Sequence, residues 1–236
     1  MRTFIRRLGA MSLLVAFSLA LVACGNKEAE QRKAFITFLQ ARVLDRPGLH
    51  VPTPSAEEKA SFGDYAQHYA VITDFNEGMN KSVSQPMTQI MAKGALRSIA
   101  DLPARRDDLK AAKDGLTGLR TALDQQAAKA DAAHAQLKQP DDLKQVYDKA
   151  FDRTVTVPAT TFKEVFPALD TVFDSALAIG DFLEKNKSKI QIAGSSITVT
   201  DPAVQAELNK MLQQLNGQSA AINAAQRKMQ AVVRGG

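Results

Sequence analysis

Apolar side chains return every three or four residues through most of this chain, the period of a helix with one buried face. The segment from about Lys27 to Arg46 carries Phe35, Ile36, Phe38, Leu39, Val43 and Leu44 behind a charged lead. Pro47-Gly48 closes it, and Pro52 and Pro54 keep the next residues extended. Ser55-Ala-Glu-Glu58 is a capping box, in which the Ser hydroxyl and the Glu carboxylate satisfy two helix-end N–H groups. Phe62, Tyr65, Tyr69, Ile72, Phe75, Met79 and Val83 then predict a helix with an aromatic-rich stripe, broken or kinked at Pro86. A shorter apolar piece follows with Met87, Ile90, Met91, Leu96 and Ile99.

From about Ala104 to Lys138 the seam is uninterrupted: Leu109, Ala112, Leu116, Leu119, Leu123, Ala127, Ala130, His134 and Leu137. Gly115 and Gly118 sit at its centre, where they permit close helix contact or mark a break. Gln139-Pro140 ends this helix and Asp141 opens a short one with Leu143, Val146, Tyr147, Ala150 and Phe151. Thr154-Val-Thr-Val157 is strand-like in composition, and Pro158 limits it to an extended link. Further helices carry Phe162, Val165 and Phe166, then Leu169, Val172, Phe173, Leu177, Phe182 and Leu183 behind Pro167.

The period changes once. In residues 189–200, Ile190 and Ile192, then Ile197 and Val199, alternate with polar residues around Ala193-Gly-Ser-Ser196, which predicts a β-hairpin. An isolated hairpin is marginal in water, so all four apolar residues are expected to lie face-down on helices. Asp201-Pro202 opens a last helix with Val204, Leu208, Met211, Leu215, Ile222, Ala225, Met229 and Val232 on one seam. The fold class expected is mainly all-α, a bundle of long antiparallel amphipathic helices with one small β-hairpin.

The first residues do not belong to that pattern. Met1–Gly9 holds Arg2, Arg6 and Arg7 and no acid, and Ala10–Ala23 is an apolar run shorter than the roughly 20 residues a membrane span needs. This is the anatomy of a secretory signal. It ends in Leu21-Val-Ala-Cys24, and Cys24 is the one cysteine of the 236 residues. The motif resembles the lipobox of bacterial lipoproteins, in which cleavage precedes the Cys and its thiol and new amine take up acyl chains such as palmitate. The chain thus divides into a signal, 1–23, and a single helical domain, 24–236, anchored by Cys24.

Charge adds little once the signal is set aside. Residues 1–23 hold three of the 30 basic residues and no acid, so the formal charge falls from +5 to +2. The densest basic pair, Arg105-Arg106, runs directly into Asp107-Asp108. Nothing favours a nucleic acid partner.

The search for chemistry finds no GxSxG elbow, P-loop or GxGxxG. His68 lies four residues after Asp64 and His134 three after Asp131, spacings that suit a surface ion pair better than a metal site. His50 lies alone in the Pro-rich link. No catalytic, cofactor-binding or metal-ligating set is assigned. Lipid attachment at Cys24 is the one site.

Three segments carry a family resemblance: Glu30 to Ala41 (EQRKAFITFLQA), Ala130 to Asp152 (ADAAHAQLKQPDDLKQVYDKAFD), and the hairpin leading into the last helix. They resemble the YiaF-like family of predicted Gram-negative lipoproteins, whose shared region is a domain of unknown function. The resemblance spans the mature chain and implies a helix-rich, lipid-anchored envelope protein, with no substrate or cofactor. Gly25 stands where an Asp would mark retention in the inner membrane, so the outer membrane, facing the periplasm, is the expected address. The function expected is a non-enzymatic interaction module touching an unidentified envelope protein or lipid. The alternative is a carrier of an apolar ligand such as a lipid, which a continuous cavity bounded by Tyr65, Tyr69 and Met79 would favour.

Overall fold

The computed structural model describes residues 26–94 and 98–235. Met1–Ala23, Cys24 and Leu96 therefore lie outside the described residues. Residue 26 is already helical, and helix α1 (26–44) turns Phe35, Phe38, Leu39 and Val43 into the core. Its last turns, Leu39–Leu44, are π-helical. The Arg153 guanidinium receives the chain beyond them. It donates to the Leu44 carbonyl at 2.7 Å, to the Gly48 carbonyl at 3.2 Å and to the Arg46 carbonyl. Helix α2 (Ala56–Phe62) starts on the expected capping box, with Ser55 Oγ accepting from the Glu58 N–H at 3.1 Å and Glu58 accepting from the Ser55 N–H at 2.8 Å.

Helix α3 (Tyr65–Met79) does not stop at the proline ahead of it. A proline inside an α-helix removes one hydrogen bond and drives its ring into the carbonyl four residues back. Here the backbone widens into a π-helical turn over Asn80–Ser84, and α4 (Gln85–Gly94) carries the helix on through Pro86. The same device recurs after α6 (Asp141–Phe151). A π-helical turn, Asp152–Thr156, leads into α7 (Val157–Lys163) with Pro158 in its first turn.

Residues Thr154–Val157 are thus helical, not the extended link expected from their composition. Burial decides it. Thr154 and Val155 are within the core, and the Thr154 hydroxyl is satisfied inside the helix by the Ala150 carbonyl at 2.6 Å. β-propensity spans only about 1 kcal/mol, less than burying an aliphatic side chain contributes.

Helix α5 (Arg106–Ala135) is the axis of the bundle and contacts α3, α4, α7 and α8. It buries Leu109, Ala112, Leu116, Leu119, Leu123 and Ala130 and does not break at its glycines. A Cβ on Gly115 would lie 2.8 Å from Ile90 Cδ1, so this glycine lets α4 approach closely. Gly118 has nothing near it. Helix α8 (Phe166–Lys185) runs antiparallel to α5, and three ion pairs fix the register: Arg106 with Asp181 at 2.5 Å, Lys113 with Asp174, and Arg120 with Asp170 at 2.5 Å. Exposed pairs of this kind contribute at most about 1 kcal/mol each, so they select an alignment more than they stabilise it.

Strands β1 (Ile190–Ala193) and β2 (Ser196–Val199) form the expected antiparallel hairpin, pairing Ile190 with Val199 and Ile192 with Ile197. Its apolar face is only partly covered. Ile190 is buried and Val199 and Ile197 are half-buried, but Ile192 is 44% exposed, contrary to the expectation that all four lie down. Cover is uneven across the apolar pair nearest the turn, where Ile197, on the strand that leads into α9, is half-buried and its partner Ile192 is not. Ile190 and Val199 are at the base, where the hairpin joins the helices, and Ile192 is next to the turn, beyond their cover. Helix α9 (Pro202–Arg234) starts on the Asp201 cap and lies along α8 and α7, burying Val204, Leu208 and Ala225. Its far end returns to α1, where the Leu49 N–H donates to the Val233 carbonyl at 3.2 Å. No described helix is long and apolar enough to cross a membrane.

Candidate functional site

The residues following Cys24 run straight into the densest aromatic cluster of the molecule. Phe35 of α1 lies 5.3 Å from Phe62, 6.1 Å from Tyr65, 6.3 Å from Tyr69 and 6.3 Å from Tyr147, ring centre to ring centre. The whole stripe from Phe62 to Val83 is buried as core. Its polar tips are spent on fastening the bundle. Tyr65 donates to Glu28, Tyr69 to the Pro52 carbonyl at 2.8 Å, and Tyr147 to the His68 carbonyl at 2.7 Å. Burial and the Glu28 carboxylate push the Tyr65 hydroxyl up to about 12, and burial also raises Tyr69 and Tyr147. Such phenols are donors, not bases.

Both candidate histidines reach the rim of this cluster, but neither is hydrogen-bonded to the neighbour its spacing suggested. His68 Nδ1 accepts from the Gln139 amide at 3.0 Å, and Asp64 acts on it only as a nearby charge. His134 Nε2 donates to Asp148 at 2.8 Å and its ring stacks on Phe151 at 4.1 Å. Burial lowers the His68 pKa, the Asp64 charge opposing it. Burial alone would raise Asp148, but hydrogen bonds from Lys144 and His134 outweigh it and hold the carboxyl below its usual range. His50 is exposed in the link after α1.

Among the described residues, no group of three or more His, Cys, Asp or Glu is placed to hold a metal ion. Nor does any buried side-chain nitrogen or oxygen there lack a partner. What the arrangement does is tie the start of α1 to α3 and α6, and α3 to the α5–α6 link. Arg32 adds to this at 3.4 Å from Asp142. Glu28, Gln139 and Asp148 were missed by sequence reasoning. Gln139 and His68 are 71 residues apart, and nothing in either local pattern announces the other.

Tyr65, Tyr69 and Met79 do not surround one cavity. Tyr65 and Tyr69 are packed against Phe35. Met79 instead lines a separate cavity of about 240 Å3, together with Phe75, Phe162, Met229 and Val232. The large apolar residues left exposed, Met91, Val157, Ile192 and Val233, come from four different elements.

Comparison with known proteins adds a family. The family model described as "Protein of unknown function (DUF3053)" matches residues 10–230. The uncharacterized protein YiaF of Escherichia coli K12 is 32% identical over 215 residues, 91% of this chain and 90% of the relative. The protein of the same name from Shigella flexneri matches to the same extent. No solved structure matches.

Proposed function

The chain belongs to the family of proteins of unknown function DUF3053, and on that premise we propose that it is a lipid-anchored envelope protein, exported by residues 1–23 and held at the membrane through Cys24. The observation that carries this reading is the placement of α1. Residue 26, two positions past Cys24, is already helical, and within nine further residues Phe35 is fully buried. Glu28, Arg32 and Phe35 tie this start to α3 and α6. A lipid on Cys24 would then hold the bundle against the bilayer surface with almost no tether. Buried acyl chains contribute about 0.8 kcal/mol per CH2, and two or three chains hold stably where one holds only marginally.

At that surface the protein acts by contact and not by catalysis. Its three core tyrosines, with His68, His134, Glu28 and Asp148, are engaged in cross-helix fastening, which supports a rigid headpiece. The lipobox followed by Gly25 supports an outer-membrane, periplasm-facing address. Replacing Cys24 by Ala should abolish fatty-acid labelling in cells. A chain exported by an ordinary cleavable signal and beginning at residue 25 should appear in the soluble periplasmic fraction. Label retained by Cys24→Ala, or a residue-25 chain that stays in the membrane pellet, would place the anchor elsewhere.

A further inference from the structure

Three π-helical turns, of six, five and five residues, occur among the described residues, and the third is bonded to the first through Arg153 and the Leu44 carbonyl. In globular proteins such turns account for well under 1% of residues. Two of them have a local cause in a proline that the helix must pass, Pro86 and Pro158. Asn76 of α3 donates to the Thr154 carbonyl inside one turn, and Arg153 from that same turn holds the Leu44 and Gly48 carbonyls at the end of another. Beside the second turn lies the 240 Å3 cavity, bordered by Asn80 and Ser84 of that turn, with Pro158 of α7 and Leu49 of the link after α1 also at its edge. Single-turn π-bulges recur at functional sites.

The geometry points to this cavity as a binding site for one unbranched hydrocarbon chain with an uncharged polar head. Its inner wall is Phe75, Met79 and Phe162, and no charged side chain lines it. At about 30 Å3 for each small group, the share of a water molecule in the liquid, it accepts about eight methylenes. That suits one chain and leaves no room for a two-chain lipid. The amide of Asn80 and the hydroxyl of Ser84 are on exposed residues at its border and offer hydrogen bonds to an alcohol, ester or amide head. The outer wall, Met229 and Val232, belongs to the last turns of α9, where Val233 is bonded to Leu49. The inference stands apart from the anchoring of Cys24.

The protein contains no tryptophan, so Phe162→Trp supplies a single reporter in the cavity wall. The membrane-extracted full-length protein, returned to phosphatidylcholine nanodiscs, would be titrated with a terminally brominated heptanol, whose bromine quenches indole emission. The expected result is saturable quenching at one molecule per chain. Filling the cavity from either wall, with Val232→Phe or Ser84→Leu in the reporter background, should weaken it at least tenfold while the melting temperature holds. Brominated heptanoate should bind more weakly than the alcohol. Quenching that never saturates, or that is the same in a folded cavity-filled variant, would overturn the site. Tighter binding of the carboxylate would overturn the uncharged head.

Discussion

Helices α5 and α9 are nearly the same length, 30 and 33 residues, and both show an apolar seam at helical spacing. They end up in different layers. α5 has neighbours on several sides and buries six seam positions, whereas α9 lies on the outside against α8, α7 and β2 and buries three. Met211, Leu215 and Ile222 of α9 remain half-buried. A seam therefore tells which side of a helix faces the protein, but not how many neighbours will cover it. Depth is a property of the assembled bundle.

The sharpest way to break this comparison is a matched pair of truncations. Leu116→Ala in α5 removes a fully buried side chain and should cost about 3–5 kcal/mol, whereas Leu215→Ala in α9 should cost about 1 kcal/mol. Equal shifts in the chemical denaturation midpoints would contradict the layering. Next in size is Arg153→Ala, which strips hydrogen bonds from three carbonyls at the end of α1 and should cost about 2 kcal/mol. Lys carries one compact charge and cannot reproduce the fork, so Arg153→Lys should recover less than half of the loss.

A smaller effect is set by pH. His68 has its folded-state pKa lowered by burial, so the unfolded chain takes up its proton first. Its contribution is intact above the ordinary value of 6.5 and is lost as pH falls below it. Asp148, lowered in the folded state, adds a loss only near and below its ordinary 3.8. The melting temperature should therefore drop between pH 7 and pH 5, and His68→Gln should flatten that drop. A slope unchanged by His68→Gln would remove His68 as its cause. Smallest of all is Ile192→Asp, which changes an exposed hairpin residue and should move stability by no more than about 0.5 kcal/mol. Ile190→Asp buries the charge at the hairpin base and should cost several kcal/mol. Similar losses from the two would return Ile192 to the buried face.

Periodicity made the helices, the aromatic core stripe and the hairpin legible, because each rests on short-range repetition. It failed where distant partners decide. Thr154–Val157 has strand composition, yet two buried side chains and the Ala150 carbonyl make it helical. Pro86 reads as a breaker, and a wider turn ahead of it lets the helix continue. The two histidines each had an acid on their own helix, and each took a hydrogen-bond partner from another segment instead. The strand alternation gave the correct face for Ile192, but the reach of the supporting helices left it uncovered. Of the proposed site, only Cys24 was legible, since a lipobox is a linear signal. The cavity beside the second π-turn joins residues from Leu49 to Val233 and has no linear signature.

The account turns on Cys24 more than on any packing detail, and the mature N-terminus tests it directly. Protein purified from the membrane fraction would be digested and its N-terminal peptide measured by mass spectrometry. The account predicts a peptide that begins at Cys24, with Met1–Ala23 gone and the mass of two or three acyl chains added through the thiol and the amine. A peptide beginning at any other residue, or an unmodified Cys24, would contradict it.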